Sequence, residues 1–236
     1  MKNEIYIHLP GGSHQVSFTL GNTGITDKNI LIIGSGSEQA ALAFQKEGAK
    51  MVELIVDDYE SLVNSNLALE GKSDISAKMM EFDCTDYPDD SFDIIYAQAS
   101  ISGDNRNKVL KEIKRMLADG GSLIAGEIVK LEKDIPPFVK DIFDSSALNP
   151  LHINEITPYY EQRGWQILKS HDYSYTLKEY YSGNLNKLEK STQDLSDREK
   201  SYYKKLINQI SHHSKAYLKQ GGDKYIGFIT LLMKLK

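Results

Sequence analysis

Apolar runs separated by amphipathic segments set the rhythm of this chain from Asn29 onward. "ILII" at 30–33 is an unbroken apolar run that stops at Gly34-Ser35-Gly36. A helix-like stretch rich in alanine follows from about 37 to 47, and Gly48 fits its end. "MVELIVD", 51–57, is a second strand, followed by a helix over 58–70 that stops at Gly71. A third strand is expected at about 75–82 and a fourth, "FDIIYAQ", at 92–98. The helix at 104–117 carries Val109, Leu110, Ile113, Met116 and Leu117 on one side. "ADGG" ends it, and "SLIAGEIV", 122–129, is the fifth strand. Short apolar strands alternating with amphipathic helices predict a parallel sheet with helices on both faces.

The flanks are less regular. Residues 1–28 form a lead-in punctuated by Gly11, Gly12, Gly21, Asn22 and Gly24, which predicts mostly turns and short segments. After the fifth strand, a helix is expected from Asp134 to Leu148, with Pro136-Pro137 early in it. "NEITPYYEQRGWQILKS" reads as a helix, Gly164, then a sixth strand at 165–170. Residues 174–222 read as a helical insertion of two helices that ends at Gly221-Gly222. "YIGFITLLMKL", 225–235, is a final strand of β-branched and aromatic character. A single domain, 1–236, with lead-in and insertion is the simplest account.

Composition narrows the classes. With 236 residues, 40% hydrophobic and 26% charged, the chain suits one α/β domain with decorations. A formal net charge of −5 argues against a dedicated nucleic-acid binder. The single cysteine, Cys84, allows no intramolecular disulfide and no CxxC site, which fits a reducing compartment. No apolar run approaches the roughly eighteen residues that a membrane span needs. The N-terminus lacks a signal-peptide core. A soluble, cytoplasmic protein with neither nucleic acid nor membrane as partner is the expectation.

In an open α/β sheet, ligands bind outside the C-terminal strand ends where the strand order reverses. Gly34 and Gly36 permit a tight turn and close backbone approach at the first of these ends. Asp57, with Asp58 beside it, lies about twenty residues past the second glycine, the separation at which a carboxylate reaches a ribose diol. Asp83 and Cys84 in "FDCTDYPDDSFD" follow the third strand, where a carboxylate can accept from an adenine amine. Each piece has a plainer reading: the glycines as turn chemistry, Asp57 as a helix cap, Cys84 as a small buried hydrophobe. Their conjunction at separate strand ends points to a nucleotide.

The ordered series over residues 25–170 resembles the class I S-adenosylmethionine-dependent methyltransferases. "ILIIGSGSE" looks like the family's first motif and "GAKMVELIVDD" like its second strand with the ribose acid. "FDCTDYPDDSFDIIYA" is similar to the third motif and fourth strand. "VLKEIKRMLADGGSLIAGE" is similar to the helix, turn and fifth strand, with Asp119 where proline is usual. "YYEQRGWQILKS" is like the family's later helix and sixth strand, and "HLPGGSHQ" like a segment before the first motif in some relatives. The likeness is nearest to the small-molecule branch, the quinone-biosynthesis and sarcosine/dimethylglycine-type enzymes. It implies a doubly wound, Rossmann-like seven-stranded sheet, the last strand antiparallel, with the helical insertion between the last two strands. It also implies S-adenosyl-L-methionine as cofactor. Gly34, Ser35 and Gly36 would then lie against its methionine part, Asp57 on the ribose, Asp83 and Cys84 on the adenine, and Gln98 and Ala99 near the sulfonium.

Two positions depart from the family: Ile32 stands where an acid is usual, and Glu38 where a third glycine is usual. Glu38 can supply the missing carboxylate, or simply stabilise a helix N-terminus. The implied reaction is an in-line displacement at an activated methyl, which needs orientation more than a catalytic dyad. Candidate bases are His14, His152 and Tyr159, none of which the pattern singles out as catalytic. The adjacent pair His212-His213 is spaced poorly for a metal, and none is expected. The absence of an Asn-Pro-Pro-Tyr-type tetrad after the fourth strand, where the chain reads "AQASISGD", favours a small-molecule acceptor. The insertion is open to two roles, a lid or a homodimer surface. Two other readings stay open: an NAD-dependent oxidoreductase, whose third fingerprint glycine is Gln39 here, and a non-catalytic relative that binds a nucleoside or a partner protein.

Overall fold

The structure is a computed structural model that describes residues 7–72, 75–193 and 195–236. Its strands are β1 Asn29–Ile33, β2 Met51–Val56, β3 Ala77–Met79, β4 Phe92–Gln98, β5 Leu117–Lys130, β6 Leu151–His152, β7 Trp165–Asp172 and β8 Ile226–Leu235. They form one sheet in the order β3-β2-β1-β4-β5-β8-β7, with the two-residue β6 also paired to β5. Strands β1 to β5 are mutually parallel, whereas β8 runs antiparallel to both β5 and β7. The strand order reverses between β1 and β4, which places the switch point beside the glycine turn.

The helices are α1 Gly12–Asn22, α2 Glu38–Lys46, α3 Tyr59–Leu69, α4 Arg106–Met116, α5 Pro137–Ser145, α6 Ile153–Glu161, α7 Leu177–Gln193, α8 Asp197–Tyr202 and α9 Lys204–Lys219. Residues 30–33 of β1 are all fully buried. Ile30 and Ile32 pack with α1, α2 and α5, while Leu31 and Ile33 pack with α4 and α6 on the other face. A strand covered on both faces must read as a continuous apolar run, which is why 30–33 does.

Several boundaries move. The lead-in contains an eleven-residue helix, α1, where turns were expected. Its sequence, "GSHQVSFTLGN", has weak helix propensity, and burial of Gln15, Val16, Phe18 and Thr19 outweighs that. β3 is only three residues long. β5 begins at Leu117 rather than 122, because "ADGG" forms an irregularity within the strand where the β4 register shifts. The insertion between β7 and β8 holds three helices rather than two.

Candidate functional site

The register of the sheet assembles the predicted rim. Ile33 pairs with Ile55 on one side and with Ala97 on the other, so the turn at Gly34 leaves the sheet between the ends of β2 and β4. The Gly34 amide donates to the Ile55 carbonyl at 2.9 Å. Gly34 has φ +110°, and the Ser100 hydroxyl donates to the Ile33 carbonyl at 2.6 Å directly against it. Ser35 and Gly36 are exposed, and Leu9 of the lead-in leans over Gly36.

The acids divide into used and open groups. Asp58 is the N-cap of α3, accepting from the Ser61 amide at 2.8 Å, and that bonding holds its carboxyl below the usual range. Glu38 bonds back into its own loop: one oxygen accepts from the Gly36 amide at 3.1 Å and from the Ser65 hydroxyl. Asp57 is exposed and Asp83 half-buried, and neither carboxylate is hydrogen-bonded or ion-paired among the described residues. The Met80 amide donates to the Val56 carbonyl at 2.9 Å, which carries the 80–84 segment past the end of β2. A tight turn, with the Cys84 amide on the Glu81 carbonyl at 3.2 Å, then presents Asp83 beside the exposed Cys84. Gly34–Gly36, Asp57 and Asp83 therefore share one end of the sheet.

Gln98 is a correction: its side chain does not open onto this rim. It is buried and fastens the lead-in, donating to the Pro10 carbonyl at 2.8 Å and the Gly12 carbonyl at 2.9 Å while accepting from the Tyr96 hydroxyl. Ala99 turns the backbone away from β4 with φ +58°, and its amide donates to the Gly126 carbonyl at 2.9 Å. Asp58 stays exposed on the same rim and caps α3 through one carboxylate oxygen. Ile32 is fully buried in the core, so the acid usual at its position has no equivalent there.

The lead-in and the insertion meet beside the glycine turn. The Gly11 amide donates to the Thr176 hydroxyl at 3.1 Å, and His8 Nε2 lies 2.6 Å from Asn184 Oδ1. Between them is a cavity of about 40 Å³ lined by His8, Leu9, Ser13, His14, Glu179 and Tyr180. Leu9 belongs to both places, since it lines this cavity and touches Gly36. Burial pushes the His8 imidazole pKa down. Of the three candidate bases only His14, exposed near Tyr173 and Tyr175, lines the cavity. His152 caps α6 by accepting from the Asn154 amide at 3.2 Å, and Tyr159 lies under the Arg163 guanidinium at 3.6 Å.

One feature of the site escapes the sequence pattern. Glu127 on β5 is fully buried and takes the Ser102 and Tyr160 hydroxyls and Arg106 Nε, the last at 3.0 Å. Arg106 also donates to the Asn149 carbonyl at 2.9 Å. Burial works against the Arg106 charge, but Glu127 outweighs it and the guanidinium pKa rises. This network anchors the 99–105 loop that carries Ser100. A lone acid within the apolar strand "SLIAGEIV" was the signal that could have revealed it, because a buried carboxylate demands partners. No cluster of three metal-ligating side chains occurs among the described residues.

Known proteins share this architecture. A methyltransferase domain profile matches residues 31–125. The sterol 4-C-methyltransferase strm-1 of Caenorhabditis elegans is 35% identical over 106 residues, covering 43% of this chain and 31% of that protein. The ubiquinone/menaquinone biosynthesis C-methyltransferase UbiE of Laribacter hongkongensis is 25% identical over 147 residues, covering 59% of this chain and 60% of that protein. The chain thus spans less than two thirds of the length of either curated relative. A crystal structure of a putative sarcosine dimethylglycine methyltransferase from Galdieria sulphuraria superposes with a TM-score of 0.74 at 16% identity, over 94% of this chain and 84% of that one. The methyltransferase domain match over residues 31–125, the two methyltransferase relatives and the shared fold together support a class I S-adenosylmethionine-dependent methyltransferase.

Proposed function

We propose that this protein transfers a methyl group from S-adenosyl-L-methionine to a small-molecule acceptor by direct in-line displacement, the lead-in and insertion working with the sheet as one domain. The observation that carries the reading is the pair of uncommitted carboxylates, Asp57 and Asp83, at adjacent strand ends beside a glycine turn. Bound there, the cofactor would supply an electrophilic methyl on a sulfonium, and the chain orients and shields it. Asp57 accepts from the ribose hydroxyls and Asp83 from the adenine amine. The Cys84 amide is already turned to Glu81, so Asp83 carries the adenine contact by its side chain.

The residues suit the nucleoside half better than the methionine half. Ile32 offers nothing polar, and Glu38 keeps one carboxylate oxygen without a hydrogen-bond partner among the described residues. That oxygen takes the place of the family's acid toward the amino group. Leu9 and the Ala99–Ser100 turn keep water from the reacting end. The cavity between lead-in and insertion receives the acceptor, with His14 as the candidate imidazole that lines it beside a protonated nucleophile. At about 40 Å³ it has room for a small group, and a bulky acceptor requires the lead-in or α7 to yield.

Equilibrium titration with S-adenosylmethionine and S-adenosylhomocysteine, with NADH as control, tests the cofactor. Turnover with a panel of small acceptors tests the reaction. Binding of the first pair with methyl transfer supports the proposal, and binding without transfer to any acceptor leaves a nucleoside-binding relative. Binding of NADH alone assigns an oxidoreductase, and no binding at all removes the reading.

A further inference from the structure

We propose that the corner between α8 and α9 is an adsorption surface for an anionic lipid bilayer. Every residue from Ser196 to Leu206 is exposed, and α8 buries none of its residues. Helix α8 thus contributes no buried side chain to the core among the described residues. Yet this corner carries Tyr202, 82% exposed, with Tyr203 at 43% and Leu206 at 51%. The two tyrosine rings meet edge to face at 4.9 Å. Such a cluster loses free energy in water and gains it at an interface that takes the rings and leaves the hydroxyls wet.

The surrounding charge selects the interface. Arg198, Lys200, Lys204 and Lys205 flank the tyrosines against Asp197 and Glu199, four cations to two acids, on a chain whose net charge is −5. None of the four cations is ion-paired among the described residues, whereas Glu199 is tied into the capping box with Ser196. Aromatic rings with lysines beside them match the headgroup layer, where the rings sit at the acyl boundary and the ammonium groups reach anionic phosphates. A second copy of this chain would bring two positive corners together. A bilayer accepts a small protruding corner without shape complementarity.

The contact leaves the candidate site open. Helix α7 lines the cavity with Glu179 and Tyr180 near its start, and its 17 residues, about 25 Å of helix, separate that end from the corner. No helix among the described residues is long and apolar enough to cross a membrane, and adsorption requires none. The inference departs from the sequence expectation of no membrane partner, and it is independent of the cofactor reading.

Co-sedimentation of the full chain with phosphatidylcholine vesicles, with and without phosphatidylserine, tests it. Binding should require phosphatidylserine and weaken with salt. Lys204→Glu/Lys205→Glu and Tyr202→Ser/Tyr203→Ser should each reduce partitioning about tenfold while leaving the thermal melting curve unchanged. Equal binding to neutral vesicles, no binding, or binding untouched by both double variants would overturn the proposal. So would concentration-dependent self-association abolished by the tyrosine variant, which would assign the corner to a second copy.

Discussion

Ser100 occupies the space that a side chain on Gly34 would need. A β-carbon built on Gly34 falls 2.5 Å from Ser100 Cβ, and Gly34 itself has φ +110°. Because the obstructing atom is a β-carbon, no rotamer change can clear it, and the backbone must move. Gly34→Ala should therefore cost about 1–3 kcal/mol of stability, read from urea midpoints. Ser100→Gly in the same chain should recover the steric part but not the cost of positive φ. No recovery in the double variant would mean that the two turns are not braced as described.

Asp57 and Asp83 are exposed to opposite demands: they contribute little to folding, and the proposed cofactor contacts depend on them. Neither side chain is paired among the described residues, so Asp57→Ala and Asp83→Ala should leave the melting temperature nearly unchanged. Each should weaken S-adenosylhomocysteine binding by about 1–3 kcal/mol through loss of charged hydrogen bonds. Asp58→Ala should do the reverse, costing about 1 kcal/mol of stability as a lost helix cap while sparing affinity. Calorimetric titration beside thermal melts separates the two patterns, and unchanged affinity in Asp57→Ala would displace the ribose from its assigned place.

What the sequence discloses depends on how local its cause is. The β1 run and the glycine turn are visible because burial on both faces and positive φ each leave a mark on neighbouring residues. Asp57 is visible because spacing from the turn fixes it. Gln98 is misread for the opposite reason: its partners, the Pro10 and Gly12 carbonyls, lie more than eighty residues away, and nothing near Gln98 records them. Helix α1 is hidden in the same way, since Gln15 earns its burial by donating to the Ala97 carbonyl at 2.9 Å on β4. The choice between Asp57 and Asp58 as cap turns on a single residue of helix phase, finer than periodicity resolves.

Glu127 should be the most sensitive polar position in the chain. Its carboxylate is fully buried and satisfies Arg106, Ser102 and Tyr160 together. Glu127→Ala leaves a buried guanidinium and a buried phenol without their acceptor, which should cost about 3–5 kcal/mol. Because Ser102 and Arg106 hold the loop that ends against Gly34, hydrogen exchange should also quicken over 99–105. A loss below about 1 kcal/mol would show that water or neighbouring groups replace the carboxylate without difficulty.

Glu112 gives the stability of this fold a specific dependence on acid. Hydrogen bonds from Arg115, at 2.6 and 3.0 Å, and from the Thr85 hydroxyl and amide, at 2.7 and 2.9 Å, lower its pKa from 4.5 to about 2. A carboxyl that binds its proton less readily when folded stabilises the fold above its unfolded pKa. That contribution disappears as the pH falls from about 4.5 toward about 2. With the side chain only 11% exposed, solvent screening removes little of it, so about 2–3 kcal/mol is expected at neutral pH. Glu112→Gln should thus lower the urea midpoint at neutral pH yet converge on the wild type as the pH falls to about 2 and below, where the carboxyl takes up its proton in the folded chain as well. A deficit of equal size at both pH values would assign the effect to packing, since shape persists through the titration and the ion pair with Arg115 does not.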